Sequence, residues 1–272
     1  EEIGGGHARL YLGDAPVDAV FALFTCSAAR DARKAGADRE ERFREQLAIL
    51  ARLAGNGYFR FTAEEFAAYV QAYLAEGIHA VHHSDAYRAA YAPAYRIIRR
   101  EYVPYLPALF QMYRTVARKG RALVAIDGMA GSGKSRLADL LAELVGADVS
   151  HMDDFFLRPQ QRTAERFAQP GENVDHERFL EEVLLPLRSG QPVTYRPFSC
   201  AQQQLGAPVT AAPCRLAIVE GAYACHPDLW AYYDLRVFLT VDPETQMQRI
   251  EARSGAAKAA QFRDRWIPFE ET

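Results

Sequence analysis

The sequence predicts an α/β protein, a parallel sheet with helices on both faces, preceded by a mainly helical N-terminal region. Three observations carry this reading. From Arg121 onward, short apolar runs alternate with amphipathic helical stretches, the rhythm of a parallel sheet covered on both sides. Up to about Lys119 the apolar residues instead recur at helical spacing. Between a strand and a helix near the middle of the chain lies the glycine-rich stretch "IDGMAGSGKS", residues 126–135. The change of rhythm near Gly120 divides the chain into residues 1–119, a helical accessory region, and residues 120–272, the α/β domain.

In the first region, "REERFREQLAILARLAG" repeats Phe43, Leu47, Leu50 and Ala54 on one helical face. "TAEEFAAYVQAYLAEG" opens with Thr62 and Glu65 at the spacing of a capping box and stops at Gly77. "SDAYRAAYAPAYRIIRREY" predicts a further helix from Ser84, kinked or restarted at Pro93. The opening "ARLYLGDAPVDAVFALF" is ambiguous between strand and helix. Tyr87, Tyr91 and Tyr95 form a stripe that reads as packing surface. His79, His82 and His83 have no nearby Cys or acidic cluster at the ligand spacing that a metal site needs.

In the second region, "ALVAI", "ADVSHM", "RLAIVEG" and "LRVFLTVD" read as strands. "SRLADLLAELVG", "DHERFLEEVLLPL" (capped by Asp175) and "PETQMQRIEARSG" read as helices.

Composition excludes some classes. The 272 residues are 49% hydrophobic and 25% charged, with a net charge of −3, so nothing marks the chain for nucleic acid or an anionic membrane. No apolar run approaches a membrane span. Four cysteines without C-x-x-C spacing read as reduced thiols of a cytoplasmic protein. The start lacks an initiator Met and the features of a signal peptide, which points to a true N-terminus upstream.

Residues 128–135 match the Walker A pattern, Gly128-x-x-x-x-Gly133-Lys134-Ser135, in the strand-to-helix context the pattern requires. The backbone of Gly128, Met129, Ala130, Gly131, Ser132 and Gly133, with the first helical residues through Arg136, is expected to cradle phosphates. Lys134 supplies positive charge to the β and γ phosphates of ATP, and the Ser135 hydroxyl ligates Mg²⁺. After the second strand, "HMDDFF" places Asp153 and Asp154 where a carboxylate faces the bound phosphates, and Asp153 suits a base that accepts a hydroxyl proton. Glu220 ends the "LAIVE" strand at the position of a second Mg²⁺ group, which would explain an acid at the end of an apolar strand. Of Arg249, Arg253, Arg263 and Arg265, the first two share a helix face and are the leading candidates to neutralise the transferring phosphoryl group.

In order and spacing, "IDGMAGSGKS", "HMDDFF", "NVDHERF", "YRPFSC", "IVEGAY" and "FRDRWIPFE" resemble the bacterial uridine kinase-like proteins of the uridine kinase, phosphoribulokinase and pantothenate kinase group of P-loop kinases. The resemblance runs from about Arg121 to the end of the chain. It implies a P-loop NTPase-type sheet and transfer of the ATP γ-phosphate to a hydroxyl, in uridine kinases the 5′-hydroxyl of a nucleoside. It also implies that Asp153 is the base, Lys134 and Ser135 hold phosphate and Mg²⁺, Glu220 is the Walker B acid, and Arg249 and Arg253 begin the lid. For the acceptor it implies a pocket near Phe198, which stands where the family has Tyr, with no His following. Asp154, Arg178 and Tyr195 are further acceptor candidates, and the family's acidic ribose ligand falls near Gln169, with Asn173 and Asp175 close by. The family continues past this chain's last residues into another strand. Residues 1–119 lie outside the usual module; buttressing the kinase, covering its acceptor pocket and forming a homodimer are the roles open to them.

Overall fold

The computed structural model describes residues 1–34 and 39–270. The chain divides into two compact units: Glu1–Gly13 with Phe24–Arg100, and Asp14–Leu23 with Glu101–Thr272. The division at Arg100 thus falls earlier than the change of rhythm at Gly120. The helix Leu106–Lys119 belongs to the second unit and packs on its sheet.

The first unit is not purely helical. Its strands Glu2–Gly4, His7–Tyr11 and Tyr95–Arg99 form an antiparallel sheet in that order. The ambiguous opening therefore resolves into a strand and then a helix, Val17–Lys34. "YRIIR", expected to be helical, is a strand. The preceding helix Asp85–Tyr91 ends with Ala92 in the left-handed region (φ 40°), Pro93 cannot resume it, and the β-branched pair Ile97 and Ile98 favours the extended state. Asp31 ties the sheet to the long helix: its carboxylate lies 2.7 Å from His7 Nε2 and 2.7 Å from Arg99 Nη1. The capping box at Thr62 and Glu65 forms with both reciprocal bonds present. His79 Nδ1 lies 2.7 Å from the Gly77 carbonyl oxygen, and His83 stacks on Tyr87.

The second unit is built on a four-stranded parallel sheet. Its strands are β1 (Ala122–Gly128), β2 (Asp148–His151), β3 (Leu216–Glu220) and β4 (Leu235–Leu239), in spatial order β4-β1-β3-β2. β1 is buried along its whole length, which is why it reads as an unbroken apolar run. Helix α1 (Lys134–Val145) follows β1 and buries Leu137, Leu140, Leu141 and Leu144. The stretch read as one helix from Asp175 runs through His176–Phe179, a π-helical turn at Leu180–Leu184, and Leu185–Ser189. Two short hairpins not apparent from the sequence pair Val193–Tyr195 with Val209–Ala211 and Phe198–Ser199 with Gln204–Leu205. Helix α2 (Pro243–Ser254) follows β4, with Pro243 in its first turn and Asp242 capping the amide of Thr245 at 2.9 Å.

Strand register positions the chemistry. Glu220 pairs with Ile126 and with His151, and Leu239 pairs with Gly128. The carboxyl ends of all four strands therefore meet at one edge, where open α/β sheets bind their ligands. Met152, Phe155, Phe179, Val183, Val219 and Leu229 belong to the hydrophobic core that supports that edge.

Candidate functional site

The glycine loop leaves β1 at Gly128, whose φ of +138° is open to glycine alone. A Cβ there would strike the backbone of Leu239. Gly133 (φ 101°) caps α1 without any side-chain hydrogen bond, so the first amides of the helix are left for an anion. Lys134 Nζ folds back on the loop and donates to the carbonyl oxygens of Gly128 (2.7 Å) and Met129 (3.0 Å). Burial lowers its pKa, opposed by the carboxylates of Glu270, Asp127 and Glu220. Ser132 Oγ is buried and has no hydrogen-bond partner among the described residues. An orphaned donor inside an amide-lined loop fits a phosphate oxygen.

Glu220 is 4% exposed. Its Oε2 accepts a 3.0 Å hydrogen bond from Ser135 Oγ, and its Oε1 lies 2.5 Å from His151 Nδ1. That contact, set against burial, raises the His151 pKa. A hydroxyl and a carboxylate side by side are the oxygen donors a hard cation takes, so Ser135 and Glu220 fit Mg²⁺. Asp153 stands on the single 3₁₀ turn Met152–Phe155 that follows β2. Burial, reinforced by Glu220, raises its carboxyl above the usual carboxylate range, against the pull of Lys134, His151 and Arg253.

From α2, Arg249 Nη1 donates to the Gly131 carbonyl at 3.0 Å and Gln246 Nε2 to the Ala130 carbonyl at 3.1 Å. Arg253 lies over the Phe262 ring. Arg263 pairs with its neighbour Asp264, and Arg265 lies over Trp266.

The loop, the two acids and the first two arginines share one cavity of about 850 Å³, which Arg263 and Arg265 do not line. Its walls bring together Gly131, Gly133, Lys134, Ser135 and Arg136 with Asp153, Glu220, Arg249 and Arg253. The acceptor candidates are placed differently. Asp154, Arg178, Tyr195 and Phe198 do not line the cavity. Consecutive residues of a 3₁₀ turn point in different directions, so Asp154 turns away from Asp153 and accepts a 2.8 Å hydrogen bond from the Tyr195 hydroxyl. Arg178 donates to the Asp154 carbonyl at 3.2 Å and covers the Phe155 ring. Phe198 is buried in its hairpin under the Arg162 guanidinium. Tyr195 and Arg178 thus brace, through Asp154, the turn that carries Asp153. Phe156, Leu157, Arg162, Asn173, Cys200 and Gln203 line the cavity as well. Asp175 is buried as a helix cap, bonded by Gln161 Nε2 at 2.9 Å.

Two further side chains hold the glycine loop and are not among the sequence candidates. Asp127, buried beside the loop, accepts from the amides of Gly128 (2.6 Å), Tyr223 (3.1 Å) and Cys225 (2.8 Å) and so joins the end of β1 to the turn after β3. Its signal was an acid within an apolar strand, the same signal that marked Glu220. Glu270 accepts the Ala130 amide at 2.7 Å; nothing local in "WIPFEE" announces a contact 140 residues away.

No family model and no curated protein matches the chain. Solved structures similar to it include two kinases. A candidate fructose transport system kinase from Silicibacter sp. TM1040 is 28% identical, with 56% of this chain and 86% of that chain covered and a TM-score of 0.46. A candidate uridine kinase from Bacillus stearothermophilus is 20% identical, with 57% of this chain and 90% of that chain covered and a TM-score of 0.43. Among the described residues, no helix is long and apolar enough to cross a membrane.

Proposed function

We propose that the chain is a small-molecule kinase that moves the γ-phosphate of ATP to a hydroxyl, with a nucleoside as acceptor. The observation that supports it most is the sharing of one cavity by the glycine loop, Asp153, Glu220, Arg249 and Arg253. The loop amides, Lys134 and the first turn of α1 hold the triphosphate. Asp153 takes the proton of the acceptor hydroxyl, whose oxygen bonds to the γ-phosphorus as the bond to the β-phosphate oxygen breaks and ADP leaves. Arg249 and Arg253 neutralise charge on the group in flight. Ser135 and Glu220 would hold Mg²⁺, which supplies further charge neutralisation at the phosphates. Positioning and electrostatics carry most of the rate, since the transfer needs little covalent help.

A second reading keeps the reaction and changes the acceptor to another hydroxyl metabolite, such as a sugar nucleotide or a cofactor precursor. It is favoured by the burial of Phe198, the expected stacking ring, away from the cavity, and by the polar Arg162, Asn173 and Gln203 in the cavity lining. A panel of nucleosides and other hydroxyl compounds incubated with γ-labelled ATP and Mg²⁺ separates the two. Label on a nucleoside supports the first reading, and label only on another compound supports the second. ATP binding without transfer to any acceptor overturns both.

A further inference from the structure

Apart from the glycine loop, three side chains of the second unit converge where the loop at Glu172 meets the turn after β3. The ligating atoms of Glu172, His176 and His226 lie within 4.8 Å of one another. The two imidazoles are 6% and 9% exposed, the carboxylate 23%. Glu172 Oε1 lies 3.2 Å from His176 Nε2 and 3.7 Å from His226 Nε2. A tetrahedral ion with bonds of about 2.0–2.1 Å sets neighbouring ligand atoms about 3.3 Å apart, so both edges are close to the required length. Arg166 Nε holds the other carboxylate oxygen, Oε2, at 3.0 Å. That contact aims Oε1 at the rings, the orienting partner that metal-bound carboxylates have. Asp228 Oδ2 lies 3.7 Å from His176 Nδ1, on the side where a ring that ligates through Nε2 carries its proton. Three acids, Glu172, Glu177 and Asp228, stand around the two rings, and Arg166 pairs with the first two of them.

Without an ion the rings satisfy each other incompletely. They stack with centroids 4.0 Å apart and planes 17° from parallel. His226 Nδ1 accepts the Asp228 amide at 3.3 Å, while its Nε2 meets Glu172 only at 3.7 Å, beyond hydrogen-bond length. Two imidazoles and one carboxylate are a donor set for borderline ions rather than for Mg²⁺.

We propose that Glu172, His176 and His226 bind a divalent ion of the zinc type, distinct from the cation that Ser135 and Glu220 would hold. Binding tilts the His226 ring out of the stack, moves its proton to Nδ1, releases the Asp228 amide and leaves a fourth position for water. The ion clamps the segment carrying Asn173 and Val174 to the turn carrying Tyr223, all three of which line the cavity, and so acts as a structural brace for the cavity wall.

The test is calorimetric titration of the full chain, stripped with a chelator, with Zn²⁺ alone. One equivalent is expected to bind in the micromolar range or tighter. Affinity should fall at least about tenfold in Glu172→Gln and in His226→Ala and stay unchanged in Glu220→Gln. Co²⁺ added to the wild type should give the intense visible absorption of a four-coordinate ion, a reading that does not depend on any variant folding. Absence of Zn²⁺ uptake by the wild type, equal affinity in the ligand variants, or a Co²⁺ spectrum of six-coordinate type would each overturn the proposal.

Discussion

Ser135 Oγ donates a 3.0 Å hydrogen bond to Oε2 of Glu220, joining the second residue of α1 to the last residue of β3 across 85 positions of sequence. The pair exists because β1 and β3 are neighbours in register, Glu220 beside Ile126, so the acid at the end of one strand meets the helix that follows the other. Ser135→Ala removes one of the two oxygen donors. The expected result is a kcat/KM lowered by roughly 10²-fold, with a higher Mg²⁺ concentration needed for half-maximal rate. Steady-state rates across a Mg²⁺ series check it; an unchanged Mg²⁺ dependence would separate Ser135 from the cation.

Glu270 presents the loop with an acid of its own, its Oε2 2.7 Å from the Ala130 amide in the cavity that Lys134 also lines. A carboxylate in that place competes with the triphosphate, and apparent affinity falls by the fraction of molecules in which it is seated. Glu270→Ala should therefore lower the Kd for ATP by about 3- to 10-fold, read by titration calorimetry. A weaker Kd in the variant would make Glu270 a support of the nucleotide site instead.

Gly128 combines a φ of +138° with backbone contact to Leu239. Gly128→Ala adds both backbone strain and overpacking, and a loss of at least about 2 kcal/mol of stability is expected. Urea unfolding measures it. A variant as stable as the wild type would mean that β4 yields easily at this point.

The Asp234 carboxylate, 5% exposed, lies 2.5 Å from Lys119 Nζ and accepts the Leu123 amide at 2.9 Å. Burial alone would raise its pKa, but the Lys119 ammonium and the Leu123 amide outweigh burial and hold it below 3.8. A depressed folded-state value stabilises the protein above pH 3.8 and loses that contribution as pH falls through the folded value. Asp234→Ala should cost about 1–3 kcal/mol at pH 7, with the gap to wild type narrowing below pH 3.8. Denaturation midpoints at a series of pH values test this, and a gap independent of pH would assign the loss to packing.

How much of this was legible in the sequence depends on how local each feature is. The glycine loop was readable because eight contiguous residues carry it, and the central strands β1 and β3 because burial on both faces leaves unbroken apolar runs; the edge strands β2 and β4 are partly exposed and carry a weaker signal. Asp153 and Glu220 were readable as acids at strand ends. The acceptor wall was not. Tyr195 and Phe198 have the chemistry of ligand-stacking rings, but hairpin pairing buries both, and no local pattern tells a core ring from a binding one. "YRIIR" was read as a helix because the periodic residues before it carried the reading past Pro93; only pairing with His7–Tyr11 shows it to be a strand. Glu270 and Gln246 reach the loop through contacts of more than a hundred residues' separation, which spacing rules do not see.

The central claim is that Asp153 faces a triphosphate held by the glycine loop and accepts the proton of the incoming hydroxyl. Parallel measurement of ATP Kd and single-turnover phosphate transfer in wild type and Asp153→Asn tests it most directly. The expected result is an ATP Kd near that of wild type with transfer slowed by roughly 10²-fold or more. Transfer at the wild-type rate in the variant would contradict it.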